Sequence, residues 1–183
     1  MEMLCLKDAE LFFGKDADKY SILNYSGHLI QSMTCALGDE FQEKIYKLEN
    51  PTIEAIQSIY KELQEKYTGN YFDSAENDYF INGDKWMETD HYFNSPFYLV
   101  DYSLAIINAL NIYKVYKANP VRGIELWETL AKNLGNLNYK NISSLAPELK
   151  SPFDINFVQE TAHFAKKEMK ALLDNYLMAH TAS

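Results

Sequence analysis

Ser95-Pro-Phe-Tyr-Leu-Val-Asp-Tyr-Ser-Leu-Ala-Ile-Ile-Asn-Ala-Leu-Asn-Ile-Tyr-Lys-Val-Tyr116 is the stretch on which the fold turns. Ser95 is a good N-cap and Pro96 suits the first helical position, where a missing N–H costs nothing. From Phe97 to Tyr116 the side chains are apolar almost all round, which predicts a helix buried in the middle of a bundle. Asp101, Asn108 and Asn111 interrupt it along one edge. On a helical wheel Tyr98, Tyr102, Ala105, Ala109 and Tyr113 form a neighbouring stripe, in which tyrosine hydroxyls stand beside small residues that leave room.

Helical signals continue on both sides. Met3 to Phe13 is apolar-rich and stops at Gly14, a natural residue to end a helix. Asp16 or Asp18 caps a second helix through Leu37, with Gly38 as its end. Asp39-Glu40-Phe41-Gln42 has the form of a capping box that restarts a turn or two. After Asn50-Pro51, Ile53, Ile56, Ile59, Tyr60 and Leu63 fall at helical spacing, with Glu54, Gln57, Lys61, Glu62 and Lys66 outward. Asn119-Pro120 opens a helix through Trp127 and Leu130 to Leu134, closed by Gly135. Asp154 caps a last long one carrying Phe157, Val158, Ala162, Ala165, Met169, Leu172, Leu173 and Tyr176. No run alternates long enough to predict a strand. The expected architecture is all-α: a single domain over 1–183, a bundle of about six to eight helices. The exception is a long irregular loop, 68–90, dense in turn formers and without helical period. Loops of that length in a compact domain are often functional, and a surface excursion pinned by its aromatics reads equally well.

The totals narrow the partners. With 17 Lys and Arg against 26 Asp and Glu, the net charge is −9, which repels phosphate backbones and anionic lipid. Nucleic acid and membrane are therefore not expected partners. No long uninterrupted apolar run occurs. The first eight residues, Met-Glu-Met-Leu-Cys-Leu-Lys-Asp, lack the basic region and cleavage site of a signal peptide, so a cytoplasmic protein is expected. Cys5 and Cys35 lie in apolar surroundings and read as buried, reduced thiols.

A search for chemistry finds no complete catalyst. There is no H-E-x-x-H, no paired C-x-x-C and no acidic calcium loop, so no metal or other cofactor is expected in this chain. Glu160-x-x-His163 places two donors on one helix face, but a di-metal bundle needs a second such pair and two more carboxylates, and a solvated helix face is the plainer reading. Ser26-Gly27-His28 and Ser103 show no base with an orienting partner, and neither cysteine has an electropositive setting. One constellation remains. His91 stands just before the apolar helix, and Tyr98 and Tyr102 follow at i, i+4. Such a grouping can aim an imidazole and two phenols at one spot, the donors that stabilise a developing oxyanion. Packing aromatics with a capping histidine is the competing reading.

This stretch resembles the C-terminal part of the oligoendopeptidase F branch of the thimet-oligopeptidase-like zinc metallopeptidases. Those proteins carry a His-aromatic-aromatic segment followed by Pro-Phe-Tyr-x-x-x-Tyr-x-x-Ala, matched by His91 to Phe93 and Pro96 to Ala105. Met1-Glu2, Glu10 to Tyr20, Asp39 to Gln42 with Glu49-Asn50-Pro51, and Lys150 to Phe153 resemble the same branch in the same order. The resemblance implies a substrate-binding lobe whose loop at 68–90 borders the cleft. It also implies that His91 binds the peptide near the scissile bond, while Tyr98 and Tyr102 donate to the carbonyl oxygen. The family holds zinc through an H-E-x-x-H helix and a later glutamate, upstream of the segment resembling Met1 to Tyr20. Zinc is thus expected only in full-length relatives, and no zinc role passes to Glu2. Oligopeptides, a complementary zinc-bearing chain or a second copy of this chain are the partners implied. A helical module that holds peptides or a partner without chemistry is the alternative.

Overall fold

The computed structural model describes residues 1–69, 82–133, 135–136 and 138–181. Among them the expected all-α class holds: eight α-helical segments joined by 3₁₀ turns, and no strand. In chain order these are α1 (Glu2–Cys5), α2 (Ala9–Phe13), α3 (Ala17–Ile45), α4 (Ile53–Thr68), α5 (His91–Asn94), α6 (Val100–Ala118), α7 (Pro120–Asn133) and α8 (Ile155–Thr181). No helix among the described residues is long and apolar enough to cross a membrane. The contacts group into two compact units, Met1–His28 with Leu104–Ser183, and Leu29–Ser103.

In the first unit, Met3, Leu4, Tyr25, Leu110, Ile112, Leu126, Leu149 and Phe157 are buried together with Asn108 and Asn111 of α6. The Asn111 side-chain amide donates to the Glu148 carbonyl at 2.8 Å, so its buried N–H₂ is satisfied. Arg122 of α7 grips the Glu148 carboxylate through Nε and Nη2, both at 2.8 Å. Gly123 lets α7 press on α6: a Cβ there would stand 2.5 Å from the Tyr116 Cα. Asn119 Oδ1 accepts from Arg122 N at the start of α7, and the cap expected at Asp154 is present, its Oδ1 accepting from Asn156 N. Leu134, the expected end of α7, lies outside the described residues.

The second unit is built on the C-terminal half of α3. Cys35, Leu37, Phe41, Tyr60, Leu63, Tyr92 and Leu99 form its core. Thr52 caps α4 by accepting from Ala55 N at 3.2 Å, and Tyr60 and Leu63 supply its buried face. Phe41 is the hub, meeting Tyr60 edge-on at 5.1 Å and tilted against Tyr92 at 5.0 Å.

Several expectations need correction. The helix expected to end at Gly38 and restart at Asp39 is continuous through both. Gly38 is a contact residue rather than a stop, since a Cβ there would lie 2.8 Å from both Leu99 Cδ1 and the Tyr92 hydroxyl. Met3 to Phe13 is two short α-helices separated by a 3₁₀ turn at Leu6–Asp8. Cys5 is exposed, against the expectation of two buried thiols, while Cys35 is buried. Of the expected loop 68–90, residues 70–81 lie outside the described residues and Thr68 still belongs to α4. The described remainder is ordered against α4: Gln57 bonds Asp84, and Lys85–Glu88 forms a 3₁₀ turn.

Candidate functional site

The helix expected from Phe97 begins three residues later, at Val100. Ser95 and Pro96 do not start it, because Phe97 takes φ 59°, left-handed backbone that a bulky residue rarely adopts. Tyr98 is therefore in the turn before α6 and not on its first face. His91 opens α5, and Tyr102 lies in the first turn of α6.

The chain nevertheless brings the three together. The His91 imidazole and the Tyr98 ring stack at 5.3 Å with 9° between planes. Tyr98 then meets Tyr102 edge-to-face, at 5.5 Å and 76°. A hydrogen bond with the Tyr98 hydroxyl raises the Tyr102 phenol above its ordinary pKa. Tyr98 is 46% exposed and Tyr102 37%, with Phe93 and Phe97 exposed alongside. The result is an aromatic step of one half-buried imidazole and two partly exposed phenols.

The expected stripe of Tyr98, Tyr102, Ala105, Ala109 and Tyr113 is not continuous on the surface. Ala105 is exposed, but Tyr113 is buried inside the first unit, where burial raises its phenol pKa. Asn108 is buried with its amide donating to the Leu104 carbonyl.

The residues that hold the step in place come from α3. Gln42 is fully buried and accepts from the backbone N–H of Phe97 through Oε1 at 2.9 Å. Its Nε2 donates to the Tyr46 hydroxyl at 3.3 Å, and the Tyr46 ring packs edge-on against Phe97 at 5.5 Å. Ser103 Oγ donates to the Ser32 carbonyl at 2.6 Å, tying the start of α6 to α3. Trp86 reaches over Phe93 at 5.9 Å. In the sequence Gln42 stands in a capping-box pattern; the sign of its buried role is a polar residue on the apolar period of Gly38, Phe41 and Ile45.

The other candidates are otherwise engaged. Ser26 Oγ donates to the Leu23 carbonyl of its own helix. His28 Nε2 faces Glu2 at 3.0 Å, and its Nδ1 meets the Asn24 carbonyl. Glu160 pairs with Lys150 at 3.3 Å and Lys114 at 3.9 Å, so the Glu160-x-x-His163 face reads as a solvated ion-pair surface. Among the described residues no three of His, Cys, Asp or Glu converge as metal ligands.

No protein-family model matches the sequence, and no curated protein matches it. A solved structure does: one described as that of a putative oligoendopeptidase F, at a TM-score of 0.80 and 26% identity. The likeness covers 92% of this chain and 30% of that one, so this chain spans under a third of its counterpart's length. The fold is oligoendopeptidase-related.

Proposed function

We propose that this chain is the substrate-binding lobe of an oligoendopeptidase-like protein, inactive by itself in peptide hydrolysis. The observation that carries the reading is the His91–Tyr98–Tyr102 step. Two exposed phenols packed beside a half-buried imidazole suit an extended oligopeptide, whose carbonyls accept from their polar hydrogens and whose side chains lie on the aromatic faces. The adjoining phenols of Tyr98 and Tyr102 are suited to donate to a carbonyl oxygen as it gains charge. Because the described residues offer no zinc ligand set, no step of the proposal runs through a metal in this chain. Activity would need a complementary zinc-bearing chain, whose Lewis acid and bound water would act on a peptide held by this step.

Titrating fluorescent oligopeptides of varied sequence into the wild type and into His91→Ala tests the reading. Wild-type binding that weakens at least tenfold in His91→Ala is expected, about 1.4 kcal/mol. Equal binding by both, or none by the wild type, refutes it. The second reading, a peptide-holding module without chemistry, is favoured by the exposure of the aromatic face at Phe93, Phe97, Tyr98 and Tyr102. The same peptides separate the two. Under the first reading, hydrolysis appears on adding a zinc-motif protein and falls in Tyr98→Phe and Tyr102→Phe, while binding is largely kept. Under the second, binding occurs and hydrolysis never does.

A further inference from the structure

Gln42 lies outside the aromatic step, yet its geometry controls the residue that places it. Phe97 is the one non-glycine residue with positive φ among those described, and it immediately precedes Tyr98. A left-handed conformation at a bulky residue persists only when its surroundings over-determine it. Three contacts do so. The Phe97 N–H can only donate, which fixes the buried Gln42 amide with Oε1 toward it. The other end of that amide is engaged by the Tyr46 hydroxyl, and the Tyr46 ring closes edge-on against the Phe97 ring. All three groups belong to the Leu29–Ser103 unit.

We propose that Gln42 is a positioning residue: by holding Phe97 in left-handed backbone it directs Tyr98 onto His91 and so assembles the peptide-binding step. This rests on the reading of that step as the peptide site, but the positioning itself can be measured without peptide. An imidazole stacked on a phenol ring has its Cε1 proton shifted by the ring current, so the His91 resonance reports the stack directly.

Gln42→Met keeps length and apolar bulk but removes both amide contacts. The expected result is a folded, helical protein whose His91 resonance moves to its unstacked position and whose peptide affinity falls about tenfold. Glycine takes positive φ without steric cost. Adding Phe97→Gly to Gln42→Met should therefore restore the stacked resonance, which simple core repair would not do. If Gln42→Met does not fold, Gln42→Asn, whose amide is too short to reach Phe97, gives the same test. An unshifted His91 resonance in a folded Gln42 variant, or no restoration by Phe97→Gly, overturns the proposal. If the stack depends on Gln42 but the wild type binds no peptide, the positioning role stands and the peptide-site reading falls.

Discussion

Replacing each of two glycines of α3 by alanine should have opposite effects, and the contrast measures how hard the site's underside presses on that helix. Gly27 and Gly38 both lie inside Ala17–Ile45. A Cβ at Gly27 meets nothing within 4 Å, so Gly27→Ala should gain the usual helix-interior benefit of about 0.5–1 kcal/mol. A Cβ at Gly38 would stand 2.8 Å from Leu99 Cδ1, 2.8 Å from the Tyr92 hydroxyl and 3.1 Å from Tyr92 Cε1. Leu99 and Tyr92 are both buried, and Tyr92 is further held by a hydrogen bond with Tyr60. Neither can swing into water to make room. Overpacking of this kind costs about 1–3 kcal/mol, so against the same helix-propensity gain Gly38→Ala should lose about 1 kcal/mol net.

The two variants should thus differ by about 2 kcal/mol, or about 1 M in urea midpoint at an m-value near 2 kcal/mol/M. Urea unfolding followed by far-ultraviolet circular dichroism measures this directly. Tyr92 and Leu99 neighbour His91 and Tyr98 in the chain, so Gly38→Ala should also disturb the His91–Tyr98 stack, and Gly27→Ala should not. If Gly38→Ala is stabilised as much as Gly27→Ala, then Tyr92 and Leu99 do not bear on α3 and the close packing argued for the site's underside is wrong.

Gly123→Ala should be more damaging than Gly38→Ala, because its Cβ would meet the Tyr116 main chain at 2.5 Å, which cannot rotate away; a loss of about 3 kcal/mol in urea unfolding is expected. Glu148→Gln should cost about 1 kcal/mol, since the Arg122 pair is bidentate but about a third exposed; a double-mutant cycle with Arg122→Ala reads the coupling, and a value of zero refutes it. Burial and a hydrogen bond to Glu40 push the Tyr67 phenol up to about 12. A pKa raised in the folded state contributes stability that is whole below the unfolded value near 10 and is lost as pH rises toward 12. Tyr67→Phe should flatten the alkaline loss of stability over that window, and an unchanged pH profile would show that Tyr67 is not its source.

Where local chemistry and tertiary packing agreed, the fold was legible. Ile53 to Leu63 repeats at helical spacing and forms a helix; Asp154 caps the helix it precedes, and Asn119-Pro120 opens another. The site trio was legible as a grouping, because a histidine and two tyrosines fell within a dozen residues of one another. What failed did so for non-local reasons. Glycine inside a helix costs about 1 kcal/mol relative to alanine, which makes Gly38 look like a stop, but the close approach of Leu99 and Tyr92 needs a residue without a side chain. Ser95-Pro96 carries a valid start signal. It is overridden by a hydrogen bond from Phe97 to a glutamine 55 residues away, which no local pattern announces.

One face of one helix explains how an exposed cluster of rings can hold a defined geometry. Gly38, Phe41 and Gln42 follow the i, i+3, i+4 spacing that puts side chains on a single face of α3, and Tyr46 stands just past its end with its N–H still bonded to the Gln42 carbonyl. Each addresses a different part of 92–99: Gly38 meets Leu99 and Tyr92, Phe41 meets Tyr92, and Gln42 and Tyr46 meet Phe97. The segment carrying His91 and Tyr98 is thus fastened on either side of the stack to the same rigid element, while the Tyr98 and Tyr102 rings stay partly exposed. Sites held by helices keep tighter geometry than sites held by loops. It follows that substitutions on the buried face of α3, which no ligand touches, should alter the orientation of the step more than substitutions at its exposed rim, such as Phe93.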